Sequence, residues 1–433
     1  MGLRQAWLDP PAALRQSGRM THLDAASALR DRARALFEAG VAAADPEAAL
    51  HAALAARPLA PVTGRREIVA VGKAARAMAR AALAVLGPAP ALIVTNRENA
   101  VPLDGAQVLA AGHPVPDADG AQASEAVLAR AAALGAQDEL LVLVSGGGSA
   151  LLPAPAPGLS LDDKAEVTRL LLAAGADITE MNLVRQQLSR IKGGGLARAA
   201  APARVTALIL SDVVGDDLRV IASGPTVAPI GTRSEARARL QARGLWDRVP
   251  QSVRAHLAAD DDPPPPPEAD NRLIGSNAQS LAAMARAAPG ARRSTAPLIG
   301  DVAAAAKRVL DESGPGVTLF GGETTVNVTG PGRGGRNQEL ALRVALAAEA
   351  RGIAGPWVFL SGGTDGRDGP TDAAGGLVDD TTLARMRAAG VDPEAMLARN
   401  DSYAALAASG DLLMTGATGT NVADLQVMIR PGT

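Results

Sequence analysis

The chain has 433 residues, with 43 Lys+Arg against 45 Asp+Glu and a formal net charge of -2. At about 100–200 residues per domain this length predicts two or three domains, and 47% hydrophobic residues place the chain among packed globular proteins. Even charge and 2% aromatics exclude a generally basic, base-stacking nucleic-acid binder, and the lack of cysteine excludes disulfides, thiolate metal sites and a cysteine nucleophile.

The four histidines, His22, His51, His113 and His256, are too scattered for a His-built zinc site. Of the 43 basic residues only Lys73, Lys164, Lys192 and Lys307 are lysines. A compact ammonium differs chemically from a planar guanidinium, so each lysine is a candidate for a chosen role.

In chain order, Met1–Arg19 lacks the apolar core of a secretory signal. Met20 opens a cleaner segment and is the alternative start. No apolar run approaches the roughly 20 residues a membrane span needs, so a cytoplasmic protein without membrane partners is expected. Asp24 to about Ala56 carries helical periodicity. Strands are predicted at Glu67–Val71, Ala91–Thr95, Glu139–Val144 and Arg204–Leu210. Between them come helices near Ala74–Val85, Ala121–Leu134, Leu161–Ala173 and Glu180–Lys192. Short apolar strands alternating with helices predict a largely parallel sheet covered on both faces.

Five prolines at Pro263–Pro267, flanked by acids, cannot join a helix or central strand. Residues 259–271 are therefore read as a linker or surface loop dividing an N-terminal domain, 20–258, from a C-terminal one, 272–433. Beyond it lie Leu273–Gly275, a helix Ala278–Ala288, strands Gly316–Phe320 and Thr325–Thr329, a helix Asn337–Ala350, and strands Trp357–Leu360, Asp411–Met414 and Leu425–Ile429.

Glycine clusters fall repeatedly where predicted strands end: Ser145-Gly146-Gly147-Gly148-Ser149, Ser211-Asp212 with Gly215, Gly321-Gly322-Glu323, and Ser361-Gly362-Gly363-Thr364-Asp365. Ligands of doubly wound sheets sit beyond the carboxyl ends of the strands. Glycine there lets backbone N–H groups approach an anion. Four such loops, three with an acid close behind, favour a polyphosphate and metal site.

Standard phosphate motifs fail. A Walker motif ending in Gly72-Lys73 would need glycine at Glu67 and Ser or Thr at Ala74. Gly330-Pro-Gly332-Arg-Gly334-Gly335 matches G-x-G-x-x-G, but the acid wanted about 20 residues on at the end of the next strand is missing, the nearest strand-end acid, Asp365, being too far away. Lys73, between a buried strand and a helix start, is read as an anion ligand, since a cation there opposes the helix dipole. Lys192 leads into Gly193-Gly194-Gly195 and has a helix-terminal alternative. Lys164 and Lys307 are read as solvated helix faces; His113 is the one histidine in a loop that could face a site, a structural role being the plainer reading. Arg336 heads a helix with a fork suited to carboxylate or phosphate. Asp212, Glu323, Asp365, Asp368 and Asp372 are the candidate carboxylates, turn formation being the plainer role for most. No G-x-S-x-G surrounds a serine, which leaves a hydrolase triad without support.

Val71-Gly72-Lys73-Ala74-Ala75, Gly112-His113-Pro114, Ser145–Leu151, Lys192–Gly195, Ser211-Asp212-Val213, Ser223-Gly224-Pro225-Thr226, Gly321–Val326, Gly334–Glu339 and Ser361–Gly366, taken together and in this order, resemble the class II glycerate kinases, the glycerate 2-kinase family with a C-terminal MOFRL module. The resemblance runs from about Asp24 to Ile429. It implies two α/β three-layer domains, the larger N-terminal one Rossmann-like with a mainly parallel sheet, and an active site in the cleft between them. It also implies Mg²⁺ and ATP as cofactors and phosphorylation of D-glycerate to 2-phosphoglycerate. By motif, the catalytic trio is similar to Lys73, Asp212 and Arg336. Ser145, Gly146, Gly147, Gly148 and Ser149, with Lys192, Gly193 and Gly194, would cradle the nucleotide phosphates. Glu323, Asn337, Asp365 and Asp368 are substrate or metal candidates, with Mg²⁺ held via Asp212 or Asp365. Arg336 would hold the glycerate carboxylate or the moving phosphoryl group, and Asp212 would take the hydroxyl proton or place the metal. A homodimer is compatible with this reading. The rivals are an NAD(P)H-dependent hydroxypyruvate reductase, a label family members often carry, and a non-catalytic nucleotide-binding protein.

Overall fold

Short strands buried at nearly every position set the first half of the molecule. The computed structural model describes residues 22–259 and 262–431; the choice between Met1 and Met20 falls outside them. The strands are β1 (Arg66–Val71), β2 (Ala91–Asn96), β3 (Ala106–Ala111), β4 (Glu139–Val144), β5 (Arg204–Leu210) and β6 (Asp270–Gly275). All pair in parallel, in the order β3-β2-β1-β4-β5-β6. This is the doubly wound dinucleotide-binding order, with its topological switch point between β1 and β4.

Both faces are buried because β1, β2, β4 and β5 are apolar over most of their length. Val69, Val71, Val142 and Val144 meet Ala123 and Val127 of the helix Ala118–Ala132 on one face. Ile68, Ala70, Leu141 and Leu143 meet Leu50, Leu54, Met78 and Ala82 on the other. The single helix expected from Asp24 to Ala56 is two, His22–Ala42 and Pro46–Ala56. Asp45 caps the second by accepting from Ala48 N at 2.8 Å, and Pro46 occupies its first turn.

The second sheet is mixed. It comprises β7 (Arg292–Arg293), β8 (Leu298–Asp301), β9 (Gly316–Thr325), β10 (Val358–Gly363), β11 (Gly375–Asp379), β12 (Leu412–Leu413) and β13 (Asp424–Arg430). Their order is β12-β11-β10-β13-β9-β7, with β8 also beside β9, and the four pairings from β12 to β9 are antiparallel. Phe320, Phe359 and Met428 pack under the helices Val302–Glu312 and Arg336–Ala350. On the opposite face Leu319, Leu360 and Val427 pack with Phe37 and Met284.

The two sheets do not divide at the proline run. Asp270–Gly275, beyond it, completes the first sheet against β5, and the helix His22–Ala42, far upstream, covers the second sheet. Strand pairing decides the boundary here, and proline bars only its own positions from pairing. No helix among the described residues is long and apolar enough to cross a membrane.

A buried ion-pair network fastens that first helix to the second sheet. Arg30 Nη1 lies 2.5 Å from Asp379 Oδ2 and 2.8 Å from Asp411 Oδ1. Arg385 spans the same two carboxylates at 3.0 and 2.6 Å. Although burial opposes ionisation, hydrogen bonds from Arg385 and Thr381 hold Asp379 down at about 2. Its folded value lies below the unfolded one of ~3.9, so its contribution is present above pH ~4 and is lost as pH falls towards about 2. Asp379→Asn is expected to lose on the order of 2 kcal/mol at pH 7. In urea unfolding as a function of pH, the gap to the parent should close across that acid window; a gap independent of pH would contradict the assignment.

Candidate active site in the interdomain cleft

The carboxyl ends of β1, β4 and β5 bring three loops together at the switch point. Lys73 N donates to Gly146 O at 2.9 Å, Ser145 N donates to Val71 O at 2.9 Å, and Ser145 Oγ accepts from Ala74 N at 3.1 Å. Gly72 must be glycine: its φ is +121° and a Cβ would collide with Ser145. The stitched loops present Lys73 beside Gly147 and His113. A Cβ on Gly147, which has φ +89°, would lie 3.0 Å from His113 Cδ2 and 3.5 Å from Lys73 Cγ. From β5, Asp212 reaches over Gly146, where any Cβ would strike its carboxylate.

The second domain faces this cluster with its own charges. Arg336, first residue of the helix Arg336–Ala350, donates from Nε and Nη2 to Asp424 at 2.6 and 3.0 Å. Its Nη1 lies 2.8 Å from Glu323 Oε1. Asp424 is buried at the start of β13, whereas Glu323, near the end of β9, is half-exposed. The fork of Arg336 is thus anchored on one side and open to exchange on the other. A cleft of ≈ 920 Å³ separates the two groups, lined by His113, Gly147, Ser149 and Asp212 from one domain and Ile299, Glu323 and Thr325 from the other.

Burial pushes the Asp212 carboxyl up, against the opposing pull of Lys73 and of the Gly147 N–H. Desolvation also raises Glu323, with Asp424, Asp212 and Asp365 adding to the rise and Arg336 opposing it. Burial lowers His113, and the Lys73 charge lowers it further. Among the described residues no cluster of three or more His, Asp or Glu could hold a metal ion unaided. Glu323 does lie close enough to Asp212 and to Asp365 to feel the charge of each. This hard-oxygen set fits a Mg²⁺ whose remaining ligands are phosphate oxygens.

The other candidates fall elsewhere. Ser145 is buried, its hydroxyl engaged by the β1 loop. The N–H groups of Gly193 and Gly194 donate to the carbonyls of Ser223 and Gly224, so they present no donors to a phosphate. Gly148 begins a short helix, Gly148–Leu151, and lies against Ala222 and Val71. Ser149 does face the cleft. Lys192 is buried with its ammonium on Ser149 O at 2.7 Å. Asp365 is half-buried and accepts from Arg367 N at 3.0 Å in a turn. Asp372 is exposed and accepts from Tyr403 Oη.

Asn337 and Asp368 lie behind the cleft wall. Asp368 accepts from Asn337 N at 3.1 Å and Gln338 N at 2.8 Å, capping the helix that carries Arg336. Its burial, with Asp424 nearby, pushes it up to about 7. Asn337 Oδ1 accepts from Ser361 Oγ at 2.5 Å.

One expectation about a lysine changes, one arginine went unmarked, and His113 takes the site-facing alternative. Lys164 is no solvated face: its ammonium turns inward onto Leu188 O at 2.8 Å, because the helix Leu161–Ala173 packs over that segment. Arg185, unmarked by its helical surroundings, lines the cleft wall with Ser149. His113 lines the cleft as well. Asp424 carried only one signal, an acid immediately before the apolar run Leu425–Ile429.

The cleft thus gathers cations and acids at a Rossmann switch point, an arrangement chemically suited to anionic ligands. Residues 32–258 match the family model described as a domain of unknown function, DUF4147, and residues 316–424 match the MOFRL family. A protein of Agrobacterium vitis, provisionally named a hydroxypyruvate reductase, is 42% identical over 95% of this chain and 96% of its own. A D-glycerate 2-kinase of Thermotoga maritima is 42% identical over 83% of this chain and 89% of its own. The crystal structure of a glycerate kinase from Thermotoga maritima superposes with a TM-score of 0.84 at 38% identity, covering 93% of this chain and 99% of that one. The chain belongs to the class II glycerate kinase (glycerate 2-kinase) family with a C-terminal MOFRL module.

If Asp368 is a helix cap, Asp368→Ala orphans two buried N–H groups and should cost about 2–3 kcal/mol in guanidinium unfolding. Asp368→Asn, which keeps one acceptor, should cost less. Equal stability of Asp368→Ala and the parent would remove the capping role.

Proposed function

We propose that the protein transfers a phosphoryl group from Mg-ATP to the 2-hydroxyl of D-glycerate, giving 2-phosphoglycerate. The observation that carries this reading is the convergence on a single cleft of Asp212, which feels the charge of Lys73, and of Glu323, which pairs with Arg336 from the other domain. Phosphoryl transfer requires chiefly in-line positioning and neutralisation of charge on the moving group, and the cleft supplies both signs of charge in fixed places.

Lys73 is placed to neutralise the transferring group, held by its backbone bond to Gly146 and by Asn99 Nδ2 donating to Lys73 O at 3.1 Å. Asp212, pushed up by burial, is poised to accept the proton of the attacking hydroxyl. A general base works best with its value near the working pH. Arg336 binds the glycerate carboxylate by exchanging it for Glu323, whose half-exposed carboxylate and single contact make it the more readily displaced partner; Asp424, buried and joined by two bonds, keeps the guanidinium oriented meanwhile. Bound Mg²⁺ would supply charge neutralisation on the phosphate oxygens, held through Asp212 or Asp365.

Hydride transfer finds less support. The literal G-x-G-x-x-G loop faces inward: Gly332 N donates to Arg399 O at 2.8 Å, and a Cβ on Gly330 or Gly332 would strike Arg399.

Incubation with D-glycerate and Mg-ATP, followed by NMR of the product, should yield 2-phosphoglycerate, while hydroxypyruvate should not drive oxidation of NADH. NADH oxidation without ATP-dependent phosphoglycerate would overturn the proposal. Lys73→Arg should lower kcat by on the order of 10²–10³-fold, because a planar fork cannot replace a point charge in the space beside Gly147. Near-parental kcat would show that the ammonium is not required.

A further inference from the structure

Beside the cleft lies a second cavity of ≈ 450 Å³, whose wall shares Pro114, Ser149 and Arg185 with it. Its floor is cationic. Lys192 Nζ donates to Ser149 O at 2.7 Å and Ser149 Oγ at 3.1 Å, and Arg185 Nη2 donates to the same Oγ at 2.9 Å. Lys164 Nζ joins them from the facing helix through Leu188 O. Among the described residues none of the three cations pairs with a carboxylate. The sides are apolar, formed by Pro114, Val115, Pro116, Leu161 and Leu172. Val115 and Leu172 stand 72% and 60% exposed at the rim.

We infer that this cavity is the seat of the nucleoside triphosphate: the base lies in the aliphatic slot of Val115, Leu161 and Leu172, and the polyphosphate runs over Lys164, Arg185 and Lys192 past Ser149 to Lys73. The inference rests on the kinase reading and adds to it the place of the base and two residues assigned no such role, Lys164 and Arg185, beside Lys192, which the resemblance already implied as a phosphate ligand. Its ground is uncompensated charge. Buried cations are ordinarily paired, and three sharing one floor without an acid form a site completed by a polyanion. Their mutual field supports this: burial beside Arg185 brings Lys164 down to about 7 and holds Lys192 well below the ordinary lysine range. An incoming polyphosphate reverses that field. The aliphatic walls add a requirement that inorganic phosphate cannot meet, since flat, apolar-faced ligands fill such slots. Continuity with the cleft directs the terminal phosphate towards Lys73 and Asp212.

Isothermal titration of the full chain without glycerate, with ATP and with inorganic tripolyphosphate as separate probes, tests the placement. Lys164→Gln and Arg185→Gln should each weaken both probes ten-fold or more. Ala165→Trp, which fills the slot from its lining helix without changing charge, should weaken ATP ten-fold or more and leave tripolyphosphate within two-fold. Circular dichroism melting confirms that each variant is folded, and Ala165→Trp, on an exposed helix position, keeps the test open if a charge variant is not. ATP affinity within two-fold of the parent in the folded variants, or no ATP binding by the parent, would overturn the inference. Should the parent phosphorylate glycerate while the variants keep their KM for ATP, the nucleotide seat fails and the kinase reading stands. Should ATP bind with the expected pattern and glycerate remain unphosphorylated, the seat stands and the kinase reading fails.

Discussion

The parallel pairing of β1 with β4 places the first domain's half of the cleft. Val71 sits opposite Val144 in register, so both strands end at one level and their loops must cross the same small space. Ser145 resolves the crowding by bonding β1's last carbonyl and the first amide of the following helix, which leaves no room for a side chain at Gly72. The chain order reverses there, so neighbouring helices depart to opposite faces and leave a crevice. Lys73 and Gly147 lie at its lip because they are the next residues after that stitch.

The second domain solves a different problem, that of keeping an arginine available while preventing it from wandering. A free guanidinium would collapse onto the nearest acid; here two acids of unequal character hold it. Asp424 is buried, joined by two bonds and further supported by Asn337, whereas Glu323 is half-exposed and shares the cleft with other acids. Removing a buried ion-pair partner leaves an uncompensated charge worth about 3–5 kcal/mol, so Asp424 stays. A substrate carboxylate can replace the outer partner at little net cost, since one ion pair forms as another breaks. Asp368 and Asn337 serve the same end one layer deeper by fixing the first turn of the arginine's helix.

Much of the first domain was legible because its central strands are apolar over most of their length and bounded by turn residues: Glu139–Val144 and Arg204–Leu210 stand where the pattern puts them. β3, Ala-Gln-Val-Leu-Ala-Ala, escaped notice since it is an edge strand rich in alanine, and β11 hides behind two glycines. Strand partners were not legible. The five prolines marked an exposed segment correctly, but nothing local shows that Asp270–Gly275 returns to β5 or that the first helix crosses to the other sheet. Within the site, glycine loops led to Lys73, Gly147 and Asp212, while the same logic misled at Gly193 and Gly194. A glycine permits an anion's approach; whether its N–H is free depends on segments remote in sequence, here Ser223 and Gly224. Lys164 was misread for a related reason, since helical periodicity fixes a face but not what covers it.

The scarcity of lysine is explained by where three of the four stand. Lys307 is exposed, where any cation would serve. Lys164 and Lys192 each deliver one ammonium to a single carbonyl oxygen, Leu188 O and Ser149 O, in spaces without a carboxylate. A guanidinium there would bring five donors in a rigid fork and leave most of them unsatisfied. Unsatisfied buried donors cost about 1–3 kcal/mol each, more than a surface exchange of Arg for Lys involves. Lys73 meets the same restriction from its walls, with Gly147 and His113 against its stem. Arginine holds the positions where a flat carboxylate is gripped from two sides, as at Arg336 and Arg385. The two cations are thus sorted by the shape of what they face, and the lysines trace the route along which the phosphate chain is placed.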